Sequence, residues 1–251
     1  MVIDVKNITV VYKTGDFRQI GLKEFVVRKI KKNLKTTQFV ALDNVSFSLE
    51  NGDLLGIIGT NGAGKSTLLK VITGIMHPVK GSVKVNGKVA ALLELGSGFD
   101  GDLTIKENIY LRGAMLGYTK EFINKKYPEI LEYSELEEYE DRAYKQLSSG
   151  MKSRLAFAIS CLVEPDILIL DEVLSVGDGA FKRKSENTMM EIIKNGCCTL
   201  FVSHSIPQIR KLCNKVLWLD KGKQIAFGDA NTICDKYERY LETVANMKKK
   251  K

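Results

Sequence analysis

The sequence predicts an α/β fold with a mixed central sheet, antiparallel strands at its N-terminal side and a separate helical subdomain. Three observations predict it. Short, mainly apolar runs at 54–58, 167–170 and 199–202 have the pattern of strands buried on both faces, as in a parallel sheet covered by helices. The opening of the chain instead alternates apolar and polar residues, the pattern of half-buried strands. The long middle of the chain, about 103–162, reads as helix.

In chain order, Ile3, Val5, Ile8 and Val10 mark a first strand within 2–11. Val45, Phe47 and Leu49 mark a second, which ends at the turn Asn51-Gly52. Between them lies a segment, 14–38, that is longer than the usual connection. Leu22, Val26, Ile30 and Leu34 recur every four residues there. Arg18, Lys23, Arg28, Lys29, Lys31, Lys32 and Lys35 surround them. The pattern is a basic amphipathic helix, suited to packing on the sheet, to a membrane interface or to an anionic substrate. The buried strand 54–58 runs into a glycine-rich loop, and Leu68, Leu69, Val71 and Ile72 define the following helix. The acidic stretch 121–141 is a solvated helical face. Near the end, Val216–Leu219, the turn Asp220–Lys223 and Gln224–Phe227 form a hairpin, and 233–244 is helical.

Composition narrows the class. A chain of 251 residues, 44% of them hydrophobic, has room for one large domain or two small ones with a proper core; no internal repeat is evident, and we expect a single domain at 1–245 with a basic tail at 246–251. No apolar run approaches the roughly 18 residues of a membrane span, and the first residues lack a signal peptide's hydrophobic block. The expectation is a cytoplasmic protein unless a partner holds it at a membrane. The five cysteines form no CxxC pair, which points to reduced, buried thiols rather than disulfides or zinc. The net charge of +8 suits any anionic partner and does not choose among them.

The chemistry begins at Gly59-Thr60-Asn61-Gly62-Ala63-Gly64-Lys65-Ser66, which fits GxxxxGK(S/T) between a buried strand and a helix. Its glycines let backbone N–H groups converge on phosphate oxygens, and the helix N-terminus adds positive potential. Lys65 is placed for the β- and γ-phosphates of ATP, Ser66 for Mg²⁺ and Thr67 for the α-phosphate. The strand 167–170 ends in Asp171-Glu172. At the C-terminal edge of a parallel strand these suit a Mg²⁺ ligand and a general base, respectively. Ser148, in Leu147-Ser148-Ser149-Gly150-Met151, can cap a helix whose apolar face is Met151, Leu155, Ala158 and Leu162. That makes a second anion site.

With this last element the chain resembles the ABC transporter ATPases, P-loop NTPases whose signature is usually LSGGQ. The resemblance implies that Ser148, Ser149 and Gly150 face the γ-phosphate held by a second copy, so that two nucleotides are sandwiched in a head-to-tail dimer. It implies that His204, after Ser203, is the switch histidine, and that 175–178 is the loop crossing the dimer interface, with Asp178 as its acid. Tyr12 takes the place of the aromatic residue that stacks on adenine, and Phe39 competes for it. Met151 and Ser149 depart from the usual signature. The glutamine expected shortly before Leu103-Thr104-Ile105-Lys106-Glu107-Asn108 is absent, and Glu94 is the nearest candidate to replace it, as a ligand of Mg²⁺ or water.

That departure, in 92–99, occurs together with the basic insertion and with Asp171–Asp178. All three resemble the ATPases that export lipid-linked O-antigen or wall teichoic acid, over about 1–235. The resemblance implies permease subunits in the membrane, a lipid-linked glycan as cargo and a peripheral location on the cytoplasmic face. It also implies an insertion that helps admit the lipid-linked pyrophosphate, and no nucleic-acid partner. We expect no C-terminal glycan-binding module. The alternatives are another exported substrate, such as a drug or peptide, or a non-transport ABC ATPase.

Overall fold

The computed structural model describes residues 1–14, 37–92, 98–171 and 179–249. The basic insertion, apart from its two ends, lies outside these residues, as do Glu94, Glu172 and the 175–178 loop with Asp178.

Among the described residues, nine strands form one mixed sheet in the order β4-β1-β2-β9-β8-β3-β7-β6-β5. They are β1 (Ile3–Thr14), β2 (Thr37–Leu49), β3 (Leu54–Ile58), β4 (Lys80–Val85), β5 (Val89–Ala91), β6 (Ile167–Asp171), β7 (Cys198–Val202), β8 (Lys215–Asp220) and β9 (Lys223–Asp229). The strands β8, β3, β7, β6 and β5 run parallel to one another, while β1 pairs antiparallel with β2 and β4. The predicted α/β fold with N-terminal antiparallel strands is therefore what forms. The central strands are apolar along their length because both faces are covered. All five residues of β7 are buried, as are four of the five in β3.

Some boundaries differ from the sequence expectation. Pairing of β1 with β2 continues to Thr14 opposite Thr37, so both strands reach further into the insertion than their apolar alternation shows. Hydrogen bonding between partners carries the ribbon past the last buried residue. The closing helix is longer at both ends than 233–244, spanning 230–249 and running into the expected tail. Two strands escaped the pattern. β4 is an edge strand in which only Val83 and Val85 mark the inner face, because Gly81 takes the next position on that face, and β5 is too short to show any alternation.

The helices are α1 (Lys65–Ile72), α2 (Ile105–Met115), α3 (Lys120–Ser134), α4 (Ser149–Leu162), α5 (Gly179–Lys194), α6 (Ile206–Leu212) and α7 (Ala230–Lys249). One apolar cluster joins β1, β2 and β3 to α1. Another joins the opposite face of the sheet to α5, α6 and α7. The helical lobe has its own core, built on Ile105, Ile109, Ile123, Ile130, Leu155 and Ile159. Tyr133 ties the lobe to α5: its ring meets Phe157 and Phe181, and its hydroxyl lies 2.8 Å from that of Thr188. The five cysteines are free and buried. Burial pushes Cys197 up to about 11 and Cys213 to about 12, so these thiols stay protonated and unreactive.

Candidate nucleotide-binding site

Because β3, β7 and β6 are parallel, their C-terminal ends share one edge of the sheet, where ligands of such folds bind. β3 runs into the glycine-rich loop, β7 into Ser203-His204, and β6 ends at Asp171, opposite Val202. A cavity of about 380 Å³ lies at this edge. It is lined by Tyr12, Phe39, Ala41, Asn61, Gly62, Ala63, Gly64, Lys65, Ser66, Thr67, Val202 and His204.

The loop is shaped by what it must pass. Gly59 has φ +147°, and a Cβ there would lie 2.2 Å from the Leu219 carbonyl oxygen at the end of β8. Gly64 has φ +105°, and a Cβ there would lie 2.7 Å from the Ala41 carbonyl. The β8–β9 turn braces the loop from behind, with the Gly222 N–H donating to the Ala63 carbonyl at 3.0 Å. The first bond within α1 runs from the Leu68 N–H to the Gly64 carbonyl at 2.9 Å. The N–H groups of Lys65, Ser66 and Thr67 thus belong to the helix's open first turn. Lys65 is buried, and its ammonium donates to the carbonyls of Gly59 at 2.8 Å and Thr60 at 3.2 Å. Thr60, Asn61 and Ser66 are exposed.

Tyr12 and Phe39 are direct partners across the β1–β2 ladder, and both line the cavity. Tyr12 packs on the core, with its hydroxyl 3.4 Å from that of Thr67, while Phe39 is 59% exposed. His204 is exposed on a turn set by buried Ser203, whose oxygen accepts the Ser205 N–H at 3.0 Å and whose hydroxyl donates to Gln208 at 3.1 Å. Sequence reading passed over Gln208, since its only signal is its place one turn into a short helix.

Ser148 caps α4, its oxygen accepting the Met151 N–H at 3.2 Å. Ser148 and Ser149 are exposed, Gly150 is half-buried, and none of the three lines the cavity of their own chain. The segment before α2 is held by Asn108, which is fully buried. Its amide donates to the carbonyls of Asp100, Leu103 and Thr104, and its oxygen accepts the Asp100 N–H. Thr104 and Glu107 form a reciprocal cap on α2, and the Thr104 backbone and hydroxyl hold the Glu107 carboxyl below its usual range. Among the described residues, no cluster of three or more His, Cys, Asp or Glu is poised to hold a metal. For Mg²⁺ the described side chains offer the exposed Ser66 hydroxyl, and the backbone of Asp171 closes β6 at the same edge. A hydroxyl oxygen is a hard donor of the kind this ion takes.

A family model described as ABC transporter matches residues 42–175. The chain is 39% identical to the O-antigen export system ATP-binding protein RfbB of Klebsiella pneumoniae, over 96% of this chain and 98% of that protein. It is 36% identical to the teichoic acids export ATP-binding protein TagH of Staphylococcus haemolyticus, over 96% of this chain and 89% of that one. TagH of Bacillus anthracis is 44% identical over 82% of this chain, which spans 38% of that longer protein. Among solved structures, the ATP-binding subunit of an ABC transporter superposes with a TM-score of 0.71 at 22% identity, covering 95% of this chain and 94% of the other. The ATP-binding cassette MJ0796, dimeric and bound to ADP and Pi, gives 0.67 at 22% identity, covering 91% of this chain and 98% of the other. A phosphate-binding loop at the end of β3, a capped signature helix outside its own cavity, and relatives matched almost end to end leave one assignment: the chain belongs to the ABC transporter family, as one of its ATP-hydrolysing cassettes.

Proposed function

We propose that the chain powers export of a lipid-linked polysaccharide, O-antigen-like or teichoic-acid-like, across the cytoplasmic membrane. One observation carries this reading: the likeness to the O-antigen export ATP-binding protein spans 98% of that protein and 96% of this chain. On this reading the chain works as a peripheral subunit on the cytoplasmic face, docked to permease subunits through the groove between sheet and helical lobe.

ATP binds along the cavity, its base against Tyr12 and its phosphates against the N–H groups of the loop and of the first turn of α1. Lys65 gives up one of its loop carbonyls to reach the β- and γ-phosphates. Ser66 and Asp171 hold Mg²⁺, with Glu94 a further ligand candidate; bound there, the ion neutralises charge on the phosphates. Glu172 takes a proton from the attacking water, and His204 contacts the γ-phosphate. Ser148, Ser149 and Gly150 reach the phosphates of a second copy, and Asp178 crosses the interface. The exposure of Ser148 away from its own cavity supports this head-to-tail arrangement. The basic insertion would meet the anionic head group of the cargo.

The test is Glu172→Gln in cells. Loss of surface polysaccharide, with accumulation of its lipid-linked form inside, is the expected result. Unchanged surface polymer from an expressed variant that cannot hydrolyse ATP would end the polysaccharide reading and point to another exported substrate.

A further inference from the structure

Only Ser203, His204 and Ser205 separate the end of β7 from the start of α6. His204, the middle residue, is exposed and lines the nucleotide cavity. The side chain before it is in the opposite situation. Ser203 is 5% exposed, and a hydroxyl buried to that degree needs partners. Its oxygen accepts the Ser205 N–H at 3.0 Å, and its hydrogen goes to the Gln208 side-chain oxygen at 3.1 Å. The second bond leaves the connection altogether. It spans His204 and ties the end of β7 to α6.

A bond to α6 positions something only if α6 itself is held. Ile209, next to Gln208, is fully buried against β3, the strand that feeds the phosphate loop. A Cβ on Gly56 of that strand would come within 2.8 Å of the Ile209 side chain and 3.2 Å of the Cys213 sulfur. On its other side, Arg210 bonds Asp235 at 2.5 Å and Glu238 at 2.8 Å on α7. Pro207, in the first turn of α6, restricts the backbone where the connection enters the helix. Gln208 is therefore carried by an element packed on the same strand that ends in the phosphate loop. The Ser203–Gln208 bond fixes the His204 turn relative to that strand.

We propose that Gln208 is a positioning residue for ATP hydrolysis, holding His204 in place for the γ-phosphate by way of Ser203. The inference rests on the switch role given to His204 above. The bond removes conformers of the turn in which the imidazole leaves the phosphate edge, so less freedom is lost on reaching the transition state. Gln208 does not line the nucleotide cavity. Its effect belongs on the turnover of bound ATP and not on ATP binding.

The experiment is a steady-state ATPase assay of the full chain with Mg²⁺. The variants are Gln208→Met, Gln208→Glu, Ser203→Ala, the double Ser203→Ala with Gln208→Met, and His204→Ala. Met keeps the length of the side chain without its oxygen, and Glu keeps the acceptor. Gln208 is exposed, so neither change disturbs the core. Gln208→Met should lower kcat about three- to tenfold, with KM for ATP within about twofold of native. Gln208→Glu should recover most of that loss. Ser203→Ala should show a similar loss, and the double variant should be no slower than the slower single, because all three remove the same bond. Native kcat in Gln208→Met beside a slow His204→Ala would overturn the inference and leave the switch reading standing. So would a change in KM alone, equal losses in Gln208→Met and Gln208→Glu, or losses that multiply in the double variant. Native kcat in His204→Ala would overturn both.

Discussion

Tyr12 and Phe39 offer two aromatic rings to one cavity, and their surroundings give them different tasks. Tyr12 leans on the core, with its hydroxyl beside that of Thr67, so the position of its ring is fixed before any base arrives. Phe39 is largely exposed and less constrained. A fixed ring loses less freedom on stacking, so we expect Tyr12 to be the main partner of adenine. Removing an aromatic stack costs about 0.5–1.5 kcal/mol beyond lost area. Tyr12→Ala should therefore raise KM for ATP up to about tenfold, Tyr12→Phe should change it little, and Phe39→Ala should have the smaller effect. Steady-state ATPase assays check this; a larger KM change in Phe39→Ala would reverse the assignment. Such residue roles were legible in the sequence where a motif fixes them, as in 59–66. They were not legible for Tyr12 against Phe39, because only pairing across β1 and β2 shows that the two rings share a cavity.

The stability of the helical lobe depends on how its first helix starts. Asn108 is wholly buried, and its side chain replaces four backbone partners around the 100–104 segment. Leu at this position would fit the volume but leave the Asp100 N–H and carbonyl without these bonds, while the Leu103 and Thr104 carbonyls keep the backbone N–H groups of Tyr144 and Asn108. Asn108→Leu should cost about 2–3 kcal/mol, read as a lower urea midpoint at unchanged slope. The caps add a pH term. Glu107 of α2 and Asp229, which caps the start of α7 through Thr232, both have carboxyls held below their ordinary values of 4.5 and 3.8 by hydrogen bonds from Thr104 and Thr232. A lowered folded-state pKa means stability that is present above the ordinary value and is lost as pH falls through the depressed one. Acidification below about pH 4.5 should lower the melting temperature of the native chain more than that of Glu107→Gln, whose neutral amide has nothing to titrate. The sequence showed Thr104, Glu107 and Asn108 as a motif. It could not show that Asn108 acts inward on the loop before it, because a buried amide reads in sequence like any polar helix residue.

For the whole molecule, the sheet order is what the sequence did not contain. Apolar runs identify β3, β6 and β7 as buried, yet nothing in them says that β7 lies between the other two, or that β9 joins the N-terminal ribbon to the parallel strands. That order brings the ends of β3, β7 and β6 to one edge and leaves the start of α4 elsewhere. A single chain therefore holds a phosphate loop and a signature that do not meet. If the signature serves the other copy's nucleotide, two defects placed in different copies must complement. Lys65→Ala removes the phosphate-binding ammonium. Ser148→Asp keeps the cap, since Asp serves at an N-cap as well as Ser, but sets a carboxylate where phosphate should approach. Each protein alone should be inactive, because each of its dimers has two damaged sites. Mixed dimers combine the sound loop of the Ser148→Asp copy with the sound signature of the Lys65→Ala copy, giving one intact site. ATPase activity should appear on mixing although neither component shows any. A mixture as inactive as its parts, with mixed dimers demonstrated by differential tagging, would mean that α4 does not complete the site of its partner.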